Sequence, residues 1–151
     1  MTPYVAVVGA GDALDGSPEA DAAEAVGRAL AEAGAVVVCG GLGGVMAAAC
    51  RGATDAGGTT VGILPGATRA DANPWLSVAI ATGLGEARNA LVVRAADAVI
   101  AVGGSYGTLS EIALALKAGK RVIALGSWQI EGMEQADEPV AAVAAALAGL
   151  S

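Results

Sequence analysis

Val99-Ile-Ala-Val-Gly-Gly-Ser-Tyr-Gly-Thr-Leu-Ser-Glu-Ile-Ala-Leu-Ala-Leu116 passes from a short apolar run, through bare backbone, into a helical pattern. A strand that is apolar on both faces is buried between helices, so residues 98–102 read as a parallel strand and the glycines after it as a strand-to-helix turn. The same grammar recurs outward along the chain. Residues 4–8, 35–39, 59–64, 77–81 and 121–125 are further short, β-branched runs. Ser17-Pro18-Glu19 opens a helix with a cap, an N1 proline and an acidic first turn, and Gly34 stops it. Later helices are expected over about residues 44–56, 84–95, 108–118 and 138–148. Alternation of strand and helix with right-handed crossovers predicts an α/β, Rossmann-like, doubly wound fold: a mainly parallel sheet with helices on both faces.

A length of 151 residues fits one domain, expected to span residues 1–151. Hydrophobic residues make up 55% and aromatics only 3%, with no Phe, so the core must be built from Val, Ile, Leu and Ala. Mean hydropathy is +0.62 without any apolar run long enough to span a membrane, which predicts extra apolar surface hidden in a homodimer or higher homo-oligomer. Eight basic against fifteen acidic residues give a net charge of -7, a balance that repels a nucleic-acid backbone. No basic segment precedes the first apolar run, so a cytoplasmic location is expected, with no membrane partner. Cys39 and Cys50 form no CxxC pattern and read as reduced, buried small hydrophobes. The absence of histidine removes Ser-His-Asp and Cys-His nucleophilic sites and most zinc arrangements, and nothing calls for a metal or a bound cofactor.

Four of the strand patterns run straight into glycine: Gly9 and Gly11; Gly40, Gly41, Gly43 and Gly44; Gly66; and Gly103, Gly104 and Gly107. In a parallel sheet all four turns lie on one edge, where bare N-H groups and helix dipoles favour an anion, most naturally a phosphate. Tight turns alone would also explain any single one of them. Gly9-Ala-Gly11 is half of a dinucleotide fingerprint, with Leu14 where a third small residue belongs, and no GxxxxGK[ST] motif occurs. Thr108-Leu-Ser-Glu111 has the form of a capping box, which would occupy Glu111 structurally; a carboxylate beside a phosphate pocket suggests a functional use instead. Arg88 borders the apolar stripe of its helix, where it could reach water or act as a fork for phosphate or for Glu111, whereas Arg94 reads as a surface charge. Residues 71–75 form the candidate mobile loop.

Gly40-Gly-Leu-Gly-Gly-Val-Met46, Gly85-Glu-Ala-Arg-Asn89 and Gly103-Gly-Ser-Tyr-Gly-Thr-Leu-Ser-Glu111 together resemble the Lonely Guy (LOG) family, formerly mislabelled as lysine decarboxylases. The similarity spans nearly the whole chain. Its characterised members are Rossmann-like dimers that release a cytokinin base from its riboside 5'-monophosphate. Against the family's PGGxGTxxE motif, Gly103 stands at the proline, Gly104 and Ser105 at the two glycines, and Gly107, Thr108 and Glu111 match. Arg88 matches the family's active-site arginine, with Asn89 where a lysine is usual. Gly-Gly-Ser and Arg-Asn are closer to a short branch of the superfamily, which is also similar to molybdenum-cofactor carrier proteins of algae.

The resemblance implies a small phosphorylated ligand, such as a nucleoside monophosphate. Glu111 and Arg88 would then be catalytic, and backbone at Gly104, Ser105, Tyr106, Gly107 and Thr108 would hold the phosphate, with Asn89 beside it. Base recognition would fall to residues 9–12 and the segment around Trp75. Cleavage of an N-glycosidic bond passes through an oxocarbenium-like state that a carboxylate can stabilise, so a phosphoribohydrolase is one expectation. A carrier or sensor of a phosphorylated ligand, needing the glycines but not Glu111, is the other.

Overall fold

In a computed structural model that describes residues 1–150, the strand patterns form one fully parallel sheet. The elements, in chain order, are β1 (Tyr4–Gly9), α1 (Pro18–Glu32), β2 (Val36–Cys39), α2 (Val45–Asp55), β3 (Thr60–Leu64), β4 (Val78–Ala81), a 3-10 turn (Gly85–Arg88), α3 (Asn89–Ala95), β5 (Ala98–Val102), α4 (Tyr106–Lys117), β6 (Arg121–Leu125), β7 (Glu134–Ala136) and α5 (Pro139–Leu147). Sheet order is β4-β3-β2-β1-β5-β6-β7, every pairing parallel. The chain winds outward one way from β1 and the other way from β5, so the direction reverses between these two central strands. Open α/β sheets bind ligands at the carboxyl ends of the strands beside such a reversal.

Successive residues of a strand point to opposite faces, and here both faces are covered. Val5 and Val7 of β1 join Val26, Leu30, Val45 and Val143 in a core under α1, α2 and α5. Ala6 and Val8 join Val92, Val93, Ile112 and Val122 under α3 and α4. This two-sided burial is why the central strands read as unbroken apolar runs. Small residues let α1 and α2 approach closely: a Cβ at Gly27 would lie 1.9 Å from the Ala49 carbonyl oxygen, and one at Gly52 would lie 2.0 Å from that of Glu24.

Several expectations need correction. The helix expected over residues 84–95 is split into a 3-10 turn and α3, and the join falls between Arg88 and Asn89, both buried. A seventh strand, Glu134–Ala136, pairs with β6; it is three residues long and mostly exposed, so no apolar run announces it. The segment 71–75 is tied down rather than loose: Asn73 donates its N-H to the Gly41 carbonyl at 2.9 Å and its side-chain amide to that of Leu42 at 3.0 Å. The Trp75 carbonyl accepts from the Thr60 hydroxyl at 2.7 Å, and the Arg51 guanidinium lies 5.4 Å from the Trp75 ring centroid. Among the described residues, no helix is long and apolar enough to cross a membrane.

Candidate functional site

A cleft of about 730 Å³ opens at the carboxyl edge beside the β1/β5 reversal, within the size range of small-molecule sites. Its floor is the end of β1 and the turns at Gly9, Gly11 and Gly40; its walls are the residue 86–90 segment and the first turns of α4. Of the residues singled out in the sequence, Gly9, Gly11, Gly40, Arg88, Asn89, Ser105, Tyr106, Gly107, Thr108 and Glu111 all line it. Gly41, Gly43, Gly44, Gly103 and Gly104 do not, and neither does Trp75. Among these glycines, Gly44 has a packing role. Gly44 has φ +62° and would drive a Cβ to 2.2 Å from the Ala10 carbonyl, which accepts the Val45 N-H at 3.0 Å and so binds the β2 turn to the β1 turn.

The helix that carries the carboxylate begins earlier than the sequence pattern suggests. Ser105, not Thr108, is the N-cap of α4, and Thr108 stands at N3, its hydroxyl accepting the Ser105 N-H at 3.3 Å. The residues after β5 thus enter the helix directly, with Tyr106 and Gly107 in the first turn, where N-H groups have no intrahelical acceptor. Glu111 lies a turn further on. It takes no part in the cap, so the structural explanation for its presence is removed. It is 8% exposed, and no hydrogen bond or ion pair engages its carboxylate among the described residues. Burial pushes it up to about 7, with the Arg88 charge pulling weakly the other way. At neutral pH Glu111 is therefore poised between acid and carboxylate.

Arg88 is buried and its guanidinium is held by the fold. Nε donates to the Ile63 carbonyl at 2.9 Å, one Nη to the Gly40 carbonyl at 3.3 Å, and the other to Oδ1 of Asn89. Gly40 is bare for this reason, since a Cβ there would sit 2.6 Å from the guanidinium. Asn89 then reaches across to α4, its Nδ2 bonding the Ser110 hydroxyl at 3.3 Å, while that hydroxyl donates to the Gly107 carbonyl at 2.7 Å. A chain of polar contacts thus runs from β3 through Arg88 and Asn89 to the first turn of α4. Ser110, Met46, Glu86 and Leu114 also line the cleft and were not singled out from the sequence. Ser110 stands inside the Thr108–Glu111 motif, Met46 closes the Gly40–Met46 stretch and Glu86 lies in the Gly85–Asn89 stretch, whereas Leu114 belongs only to the apolar pattern of its helix. Beneath the β2 turn, the Cys39 and Cys50 thiols are buried with sulfurs 3.5 Å apart, in keeping with their reading as buried small hydrophobes. Among the described residues, no cluster of ligating side chains could hold a metal.

The profile of the SLOG cluster4 family matches residues 2–147. The chain belongs to that family. An uncharacterised protein of Archaeoglobus fulgidus is 46% identical over 141 residues, covering 92% of this chain and 91% of that one. Two solved structures share the fold at near full length. The molybdenum cofactor binding protein of Rippkaea orientalis has a TM-score of 0.85 at 36% identity, covering 92% of this chain and 91% of that one. The molybdenum cofactor carrier protein of Chlamydomonas reinhardtii has a TM-score of 0.86 at 33% identity and covers 96% of both chains. The Rossmann-like fold and the likeness to molybdenum-cofactor carriers, both expected from the sequence, hold.

Proposed function

We propose that the protein binds a phosphorylated, ring-bearing small molecule in this cleft and carries it without turnover. The observation that carries the reading is the bare first turn of α4, whose N-H groups at Tyr106 and Gly107 stand at the cleft beside the strand reversal. The molybdenum cofactor, a pterin that bears a phosphate, meets this chemistry, and the two relatives are named for binding or carrying it. Arg88 commits three of its five N-H donors to the fold, which supports a part for it in holding the cleft wall beside the ligand. A thermal-shift series with inorganic phosphate, AMP and molybdenum cofactor tests the reading. A ligand present at 100 times its dissociation constant adds about 2.7 kcal/mol, so a bound one raises the unfolding temperature clearly. Failure of all three to do so would sink the proposal.

A second reading, hydrolysis of a nucleoside 5'-monophosphate to free base and ribose 5-phosphate, is favoured by one observation: Glu111 is buried, unbonded and poised near neutrality. A carboxyl in that state can stabilise an oxocarbenium-like centre and activate water. Ribose 5-phosphate released by the native protein and not by Glu111→Gln would establish it. Exposed Leu91 and Leu114 on α3 and α4, and Val78 and Ile80 on the edge strand β4, support assembly into a homo-oligomer. Light scattering in solution tests that point.

A further inference from the structure

The chain has only four aromatic residues, and two of them meet at the rim of the cleft. Tyr106, at the first position of α4, lines the cleft and is 84% exposed. Its ring stacks on Trp128, which follows β6, with centroids 6.4 Å apart and planes inclined by 28°. The tyrosine is open while the tryptophan behind it is fixed. The indole N-H donates to the Ser105 carbonyl at 3.2 Å, its ring packs against the core under α3 and α4, and it lies so close to the β5 turn that a Cβ at Gly104 would come within 2.9 Å of Nε1. Beside it, the Ser127 hydroxyl is buried with no partner among the described residues. The bare backbone at Gly104, off the cleft lining, thereby acquires a use: it lets the indole close in behind Tyr106.

An exposed phenol ring at the first turn of a helix contributes little to folding, yet this one is braced by a half-buried indole and adjoins the N-H groups at Tyr106 and Gly107. We propose that Tyr106, backed by Trp128, is a stacking platform for the planar heterocycle of the ligand whose phosphate rests on α4. The proposal deepens the reading of the cleft as a phosphorylated-ligand site and rests on it. Stacking on an aromatic side chain discriminates weakly between ring systems because each presents a π-face, so the platform suits a nucleobase and a pterin alike.

Calorimetric binding of three probes to the full chain tests this: AMP, a pterin monophosphate, and ribose 5-phosphate, which has the phosphate and sugar but no ring. The native protein is expected to bind at least one ring-bearing probe more tightly than ribose 5-phosphate. Tyr106→Ala should weaken that probe by about 5-fold to 100-fold and leave ribose 5-phosphate unchanged, with Tyr106→Phe close to native. In a Trp75→Phe background, which leaves Trp128 as the single indole, the ring-bearing probe should quench tryptophan emission and ribose 5-phosphate should not. Equal loss of both probe types in Tyr106→Ala, or no loss of either, overturns the platform while the phosphate site stands. So does equal affinity of the native protein for ring-bearing and ring-free probes. A native protein that binds none of the three overturns the site reading itself, and the platform with it.

Discussion

Replacing Glu111 by Gln keeps the shape of the side chain and removes its ionisation, so the variant isolates what the buried carboxyl costs the fold. In the unfolded chain the carboxyl titrates near its ordinary 4.5, whereas burial in the native protein raises it to about 7. Between those values the native state holds a proton that the unfolded state has lost, and stability therefore falls as pH rises through that window. A gap of about 2.5 pH units, at about 1.4 kcal/mol for each, amounts to a penalty of about 3 kcal/mol, small below pH 4.5 and complete above pH 7. Glu111→Gln escapes it. Urea unfolding of both proteins at about pH 5 and pH 8.5 should show the variant gaining about 2 to 3 kcal/mol on the native protein from the lower pH to the higher. Any constant cost of burying a carboxamide cancels in that difference. A difference that stays flat would refute the reasoning, because the carboxyl would then be as well solvated folded as unfolded. A difference of the opposite sign would mean that attraction to Arg88 outweighs desolvation.

Two further substitutions test the scaffold. Gly52→Ala should destabilise by about 3 kcal/mol, and so lower the thermal midpoint by about 6 to 12 °C, although alanine is the better helix former; the new methyl would meet the Glu24 carbonyl at 2.0 Å, backbone that moves only if α1 and α2 separate. Arg88→Ala leaves the Ile63 and Gly40 carbonyls and the Asn89 amide oxygen without their donor, a loss of about 3 kcal/mol by urea unfolding, and Arg88→Lys should recover little because a single ammonium lacks the planar fork. Removing that charge also pushes the Glu111 ionisation further up, seen as a shift of the pH window in the same series.

Most of the sheet was legible because its strands are covered on both faces, and a strand buried on both sides has only one kind of sequence. β7 escaped for the converse reason: Glu134 and Gln135 lie on an exposed edge, where no apolar run is needed. The glycine turns were legible as an edge but not as a division of labour. Gly40 and Gly44 look alike in sequence, yet the first makes room for Arg88 and the second fastens two turns together. The start of α4 is ambiguous in the sequence because Thr108-Leu-Ser-Glu111 and Ser105-Tyr-Gly-Thr108 both have cap-like spacing; the backbone takes the earlier, which starts the helix three residues sooner. The contact between Tyr106 and Trp128 joins residues from turns after different strands and left no local signal.

That earlier start changes the argument about Glu111. Had it closed a capping box, its burial would need no other explanation; as it stands, a carboxyl without a hydrogen-bond partner sits in the cleft that also holds the open turn of α4. Charged, it would repel a phosphate there. Neutral, it is a hydrogen-bond donor, so anion binding and Glu111 protonation favour each other, and a loaded site holds its proton to a higher pH than an empty one. A glycosidic hydrolase needs the opposite, an ionised carboxylate at the moment positive charge develops on the sugar. The two requirements conflict unless the phosphate lies well away from Glu111 when the ligand is bound. A ligand seated on the first turn of α4, one helical turn from Glu111, couples the two: the closer its phosphate, the larger the protonated share of Glu111 and the slower any cleavage that needs the carboxylate.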